Sequence, residues 1–97
     1  MTTYVILSRV SPLAFDDPKK FGQLAKTVSD RIKNECPGVK WKDSFATFGR
    51  FDMLDIVESD HPDQVAKAVM IIRAHGKSET ETMQAMPWKE FLKQVSE

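Results

Sequence analysis

A strand-like segment with apolar residues on both of its faces is the feature that most limits how this chain can fold. Residues 51–58 read Phe-Asp-Met-Leu-Asp-Ile-Val-Glu, and successive side chains of a strand point to opposite sides. Leu54 and Ile56 therefore share one face, whereas Asp55 lies among the apolar residues of the other. A strand with one side in water usually alternates apolar and polar residues. We therefore expect both faces of this strand to be covered.

The size and composition are those of one ordinary globular domain. The chain has 97 residues, of which 41% are hydrophobic and 29% charged, and we treat residues 1–97 as a single domain. No apolar run reaches the roughly 20 residues of a membrane-spanning helix, so we expect no membrane association. Fourteen basic and fourteen acidic side chains balance, which argues against nucleic-acid binding. The N-terminus lacks a signal-peptide pattern and Cys36 is the single cysteine, so we expect a cytoplasmic location.

Two kinds of hydrophobic periodicity alternate along the chain. Alternating apolar residues predict strands over about residues 2–9, 39–48 and 51–58, and a polar, threonine-rich alternation predicts an outer strand over about residues 77–85. Apolar residues three and four apart predict helices over about residues 18–36 and 62–75, and a short third helix after Pro87. The two central strands are expected to meet at a tight turn around Gly49 and Arg50.

The resulting element order predicts an α+β fold. The predicted order is strand, helix, strand, strand, helix, strand, helix. This order is typical of a ferredoxin-like βαββαβ sheet, here with a C-terminal helix. The helices of such a fold cover one face of the sheet. Because the strands are also apolar on the other face, a single copy would expose a large apolar surface, which usually marks an interface. We therefore expect at least a homodimer, with two sheets stacked and a cavity between them.

Three short segments carry a family resemblance. They are Thr3–Ser8, Gly49–Asp52 followed by Ile56–Glu58, and Thr80–Thr82 followed by Ala85 and Pro87. In this order and spacing the chain resembles the GYD domain family, small proteins with the dimeric α/β barrel version of the ferredoxin-like fold. The family's Gly-x-Tyr-Asp reads Gly-x-Phe-Asp here, so Phe51 keeps the ring and lacks the hydroxyl. The resemblance implies the fold and dimerisation, and it carries no settled activity.

Asp55 is the candidate for chemistry, because a carboxylate among apolar neighbours either faces a wet cavity or has a raised pKa. In such a place it can orient a ligand or act as a general acid or base. The structural alternative is a hydrogen bond to a serine, a threonine or a water molecule. The predicted ligand site consists of Tyr4, Ile6, Phe45, Met53 and Asp55.

Three classes of function fit this interpretation. The first is a homodimer that binds a small apolar or mixed-polarity metabolite between its two sheets. The second is a cofactor-independent enzyme resembling the monooxygenases and isomerases of the dimeric α/β barrel type, which rests on fold analogy. The third is a regulatory or assembly subunit.

The remaining polar residues favour structural roles. His61 and His75 lie at opposite ends of one helix, so no metal site is expected, and no glycine-rich phosphate loop is present, so we expect no cofactor. Cys36 lies at a helix C-terminus, which disfavours a thiolate. Asp52 is expected to accept backbone N–H groups and Arg50 to be solvated. The apolar stripe of the third helix is expected to dock on its own domain or on the dimer mate: Trp88, Phe91, Leu92 and Val95.

Overall fold

Four strands and three helices follow one another in the expected order in a computed structural model that describes residues 1–97. They are β1 (Thr2–Val10), α1 (Pro18–Glu35), β2 (Val39–Ala46), β3 (Met53–Ser59), α2 (Pro62–His75), β4 (Ser78–Ala85) and α3 (Trp88–Val95). The strands form one antiparallel sheet in the order β2-β3-β1-β4. The prediction of a ferredoxin-like βαββαβ fold with a C-terminal helix is confirmed.

The beginnings of the two long helices follow from local chemistry. Asp17 caps α1, since its Oδ1 accepts a hydrogen bond from the backbone N–H of Lys19 at 2.9 Å, and Pro18 fits the first turn. Before α2, the Ser59 hydroxyl accepts from the backbone N–H of His61 at 2.9 Å and donates to the carbonyl oxygen of Gly38 at 2.7 Å. One buried serine thus ties the end of β3 to the start of β2.

The hydrophobic core lies between α2, the C-terminal half of α1 and one face of the sheet. Helix α2 packs on the strands, whereas α1 packs mainly against α2 and contacts the sheet much less. The buried apolar cluster consists of Ile6, Ile32, Cys36, Val57, Ala68, Ile71 and Ile72. Ile32 is the only fully buried residue of α1. The N-terminal half of α1 is therefore not anchored in the core.

The connection between β2 and β3 differs from the expected tight turn at Gly49 and Arg50. The strands end at Ala46 and resume at Met53, so a six-residue loop joins them. The backbone N–H of Thr47 donates to the carbonyl oxygen of Asp52 at 2.9 Å, and that of Asp52 donates to the carbonyl oxygen of Ser8 at 2.8 Å. These bonds hold the loop against β1, and no glycine has a positive φ.

Gly38 follows α1 at a position where glycine often adopts the left-handed conformation. The only positive φ in the chain, however, is at Lys77, with φ 50°. At Gly38 a Cβ atom would lie 2.7 Å from the side chains of Gln64 and His61. A larger residue here would therefore have to displace these side chains, so glycine is favoured by the close approach of Gln64 and His61 and not by its φ angle.

A β-bulge in β2 changes which side chains share a face. Trp41 is in register with Val57, but Asp43 is in register with Ile56, so one residue is extra between them. As a result Ser44 lies on the same face as Trp41. Strict alternation along residues 39–48 predicts that Phe45 shares the face of Trp41 and that Ser44 lies on the other face; the bulge makes this prediction wrong.

The two faces of the sheet are covered unequally. The face that carries Asp55 lies under the helices, and we call the other the open face, because nothing in the chain covers it. The apolar residues of the open face are Val5, Leu7, Phe45, Leu54, Ile56 and Met83. Phe45 and Met83 are about half exposed, at 52% and 49%.

Helix α3 does not pack on its own domain. Its apolar stripe is exposed, with Trp88 at 68% and Val95 at 61%, so docking within the chain, one of the two expected positions, is not observed.

No helix is both long and apolar enough to cross a membrane.

Candidate functional site

A cavity of about 500 Å³ lies between α1 and the sheet. It exists because the N-terminal half of α1 stands away from the strands. Its roof is formed by α1, and its floor by β2, β3 and the ends of β1 and β4. Apolar residues dominate the lining, and the principal ones are Val10, Phe21, Leu24, Val28, Ile32, Val39, Trp41 and Met53. The polar exceptions include Ser44 and Asp55 on the floor and Lys33 on the roof.

Asp55 is held on the cavity floor by two neutral donors from β2. The Ser44 hydroxyl donates to Oδ1 of Asp55 at 2.6 Å, and Nε1 of the Trp41 indole donates to the same oxygen at 3.2 Å. The indole also donates to the Ser44 hydroxyl, at 3.0 Å. The bulge in β2 makes this cluster possible, because it places Trp41 and Ser44 on the face of Asp55.

The second carboxylate oxygen of Asp55 remains available. The side chain is 7% exposed, and its Oδ2 accepts no hydrogen bond from the chain. The only fully buried side-chain polar atom without a partner is Oγ of Ser8, so Oδ2 of Asp55, which also has no partner, is not completely buried. No cation pairs with this carboxylate. The arrangement therefore presents a fixed acceptor to any donor that enters the cavity.

A second depression adjoins the cavity at the edge of β2. Both are lined by Ser44, Met53 and Asp55, so the carboxylate is approached from two sides. Phe45 and Phe48 also line this depression, and the Phe48 side chain is fully exposed. Aromatic side chains thus border the route from solvent to Asp55.

The structure brings together some of the predicted site residues and separates others. Met53 and Asp55 line the cavity. Tyr4 and Ile6 lie on the same face of the sheet but belong to the core and do not line it. Phe45 is in register with Leu54 on the open face. The cavity that contains Asp55 therefore lies within one copy of the chain, under α1, and the expectation that it lies between two sheets is wrong.

Sequence reasoning missed three residues of the site. Strict alternation places Trp41 and Ser44 on opposite faces of the strand. The three consecutive polar residues 42–44 interrupt that alternation and are a signal for the bulge. Lys33 carried no signal, since an isolated lysine on an amphipathic helix usually belongs to the solvated face.

The other polar candidates have structural roles. Asp52 accepts a hydrogen bond from the backbone N–H of Val10 at 2.8 Å, which confirms its predicted role as a backbone acceptor. Arg50 is exposed, as predicted, and its guanidinium lies 5.8 Å from the centre of the Phe51 ring. Burial raises the pKa of the Cys36 thiol, so the neutral form is favoured and the residue is a poor nucleophile.

Comparison with known proteins identifies the family. The model of the GYD domain family matches residues 4–95. The chain belongs to the GYD domain family. It is 24% identical over 92 residues to a Thermus thermophilus protein named glutamine synthetase and cystathionine beta-lyase binding protein, covering 95% of this chain and 96% of that one.

Solved structures agree on the fold. The crystal structure of FFRP-DM1 aligns with a TM-score of 0.59 and 22% identity, covering 89% of this chain and all of that one (100%). A hypothetical protein from Pyrococcus horikoshii aligns with a TM-score of 0.57 and 22% identity, covering 89% and 90%. At these identities the likeness concerns the architecture of this GYD domain protein.

Proposed function

We propose that this GYD domain protein is a homodimer in which each copy binds a small molecule under α1. The ligand has an apolar body and an end that donates a hydrogen bond. The observation that carries the proposal is the geometry of Asp55, which lines an apolar cavity and has one oxygen fixed by Trp41 and Ser44 while the other accepts no hydrogen bond from the chain.

The size and lining of the cavity support a small-molecule ligand. Ligand sites commonly have volumes of about 300–1,000 Å³, with apolar walls and a few fixed polar groups, and a cavity of about 500 Å³ lies in this range. A donor that reaches Oδ2 of Asp55 meets a carboxylate whose orientation is already set. Little ordering of the side chain is then required on binding.

The open face supports the homodimer. Six apolar residues form a continuous surface across all four strands, and a soluble protein rarely leaves such a surface in water. A second copy is a matching occupant, because it presents the same apolar face, and stacking two sheets across a two-fold axis covers both faces at once.

A matched pair of fragment probes tests the ligand site. 2-Phenylethylamine and n-propylbenzene have similar size, but only the first donates hydrogen bonds. We expect 2-phenylethylamine to bind saturably and to shift the amide resonances of Val28 and Asp55 in two-dimensional NMR spectra. Asp55→Asn should weaken this binding about 10- to 100-fold, since a charge-assisted hydrogen bond contributes roughly 1.5–3 kcal/mol.

The control is Asp43→Asn, which changes a carboxylate on the same strand pair but on the open face. It should leave binding of the amine unchanged. Equal binding of both probes to the wild-type protein would show that Asp55 anchors nothing, and binding of neither would refute the cavity as a ligand site.

Binding to another protein is a second candidate function, supported by α3. A helix of eight residues is marginal by itself, and this one exposes Trp88, Phe91, Leu92 and Val95 without packing on its domain. The name of the Thermus thermophilus relative describes binding to two enzymes. The test is co-sedimentation with glutamine synthetase of the same host, which the paired substitutions Trp88→Ser and Phe91→Ser should abolish; co-sedimentation unaffected by them would exclude α3 as the contact.

A further inference from the structure

Two side chains of opposite charge line the cavity from opposite walls. Asp55 is on the floor, and Lys33 is on α1. They are the only charged residues in the lining. The sign and placement of these charges restrict the ligand class beyond the apolar body and donor end proposed above.

Lys33 has no ionic partner in the chain, although other lysines on α1 do. Lys20 pairs with Asp16 at 2.7 Å, and Lys26 pairs with Asp30 at 3.0 Å, in both cases one helical turn away. The residue one turn before Lys33 is Ser29, and no carboxylate lies within ion-pair distance of its ammonium group. Its charge is free to act on the cavity.

Asp55 is also unmatched, because its only donors are a neutral indole and a neutral hydroxyl. A carboxylate with 7% exposure loses much of its hydration, and a cationic partner compensates such a loss better than a neutral donor does. Lys33 is exposed at the rim of the cavity and remains hydrated. A ligand group that pairs with Asp55 therefore gains more binding energy than one that pairs with Lys33. The ligand contact at the floor is expected to be the stronger one.

We propose that the cavity binds an amphoteric molecule, with an ammonium group at Asp55, a carboxylate at Lys33 and an apolar segment between them. This inference rests on the proposed function of the cavity. The apolar segment contacts Leu24 and Val28 of the roof and Met53 of the floor. A molecule with both charges neutralises both walls at once, whereas a simple amine leaves Lys33 unmatched.

Three probes that share a para-substituted benzene ring separate the possibilities. 4-(Aminomethyl)phenylacetate carries both charges, 4-propylbenzylamine carries only the cation, and 4-ethylphenylacetate carries only the anion. Titration calorimetry on the full chain at low salt should rank them in this order of affinity. We expect the amphoteric probe to bind about five- to tenfold more tightly than the amine, and added salt should reduce this difference.

Lys33→Met should remove the advantage of the amphoteric probe and leave the amine within twofold of its wild-type affinity. Lys26→Met is the matched control, because it changes a lysine on the same helix that is outside the cavity lining and should leave all three affinities unchanged. Thermal unfolding of both variants establishes that α1 is intact.

The results distinguish the proposal of an amphoteric ligand from the broader proposal that the cavity is a ligand site. Equal affinity of the amphoteric probe and the amine, or an equal effect of Lys33→Met on both, overturns the amphoteric ligand and leaves a donor-binding cavity standing. Failure of both amine-bearing probes to bind overturns the cavity as a ligand site altogether. Tighter binding of the anionic probe than of the amine contradicts the assignment of Asp55 as the anchor.

Discussion

The two faces of the sheet reverse the usual distribution of polar and apolar groups. The covered face places Ser8, Asp55 and Ser59 in the interior, whereas the open face leaves Val5 and Ile56 partly exposed. A buried polar group and an exposed apolar patch are the two observations that carry information about function. Here they lie on opposite sides of the same two central strands.

The comparison separates two requirements. A buried polar group needs a hydrogen-bond partner, which is small and close. An exposed apolar face needs cover, which is large and has a matching shape. The covered face therefore points to a ligand, and the open face points to a second copy of the chain.

The largest expected effect is on the open face, from Ile56→Lys. The substitution places an uncompensated charge in the centre of the proposed dimer twice, at a cost of several kcal/mol per copy. We expect the dissociation constant of the dimer to rise at least 100-fold. Sedimentation velocity over a range of concentrations measures it, and Gln23→Lys on the exposed side of α1 is the control.

The same experiment can refute the proposal that the open face requires a partner. A wild-type protein that sediments as a single copy at tens of micromolar, with its open face accessible, would mean that this face does not require a partner. The ligand cavity would be unaffected by that result, because it lies entirely within one copy.

The extent to which the sequence predicts the two faces of the sheet differs from strand to strand. In β3 the alternation of Leu54 and Ile56 against Asp55 is regular, so its two faces follow from the sequence. Nothing in that alternation says which face the helices cover. The location of the cavity was therefore predicted on the wrong side, although the placement of Asp55 among apolar residues was predicted correctly.

The irregular elements account for the other differences. The bulge in β2 moves Ser44 to the face of Trp41, and a one-residue shift of this kind reverses every later side chain. The loop 47–52 is fixed by hydrogen bonds to β1, which is distant in sequence. Helix and strand boundaries depend on local signals and were close, whereas these features depend on long-range contacts.

The second prediction compares adjacent residues of β1. Ile6 is completely buried in the core, whereas Val5 points to the open face. Ile6→Ala should lower the free energy of unfolding by about 2–5 kcal/mol, the usual cost of a cavity in a packed core. Val5→Ala should cost under about 1 kcal/mol in dilute solution, because its side chain is covered only in the dimer.

Denaturant unfolding at low and high protein concentration measures both effects. The loss from Ile6→Ala should be similar at the two concentrations, whereas the loss from Val5→Ala should grow as the dimer forms. Equal and concentration-independent losses would show that the two faces are equally well packed in one copy, which contradicts the distinction between them.

The smallest expected effects compare two serines of the covered face. Both are completely buried, but the Ser59 hydroxyl donates to Gly38 and accepts from His61, whereas the Ser8 hydroxyl has no partner. Ser59→Ala should cost about 1–3 kcal/mol, because it leaves buried backbone groups without their partner. Ser8→Ala should be neutral or stabilise by up to about 1 kcal/mol, since it removes a hydroxyl that gains nothing from burial.

Thermal and denaturant unfolding of the two variants measure the difference. If Ser8→Ala costs as much as Ser59→Ala, its hydroxyl has a partner from outside the chain. The polar part of the covered face would then extend from Asp55 across to β1, and the site would be larger than the cavity under α1.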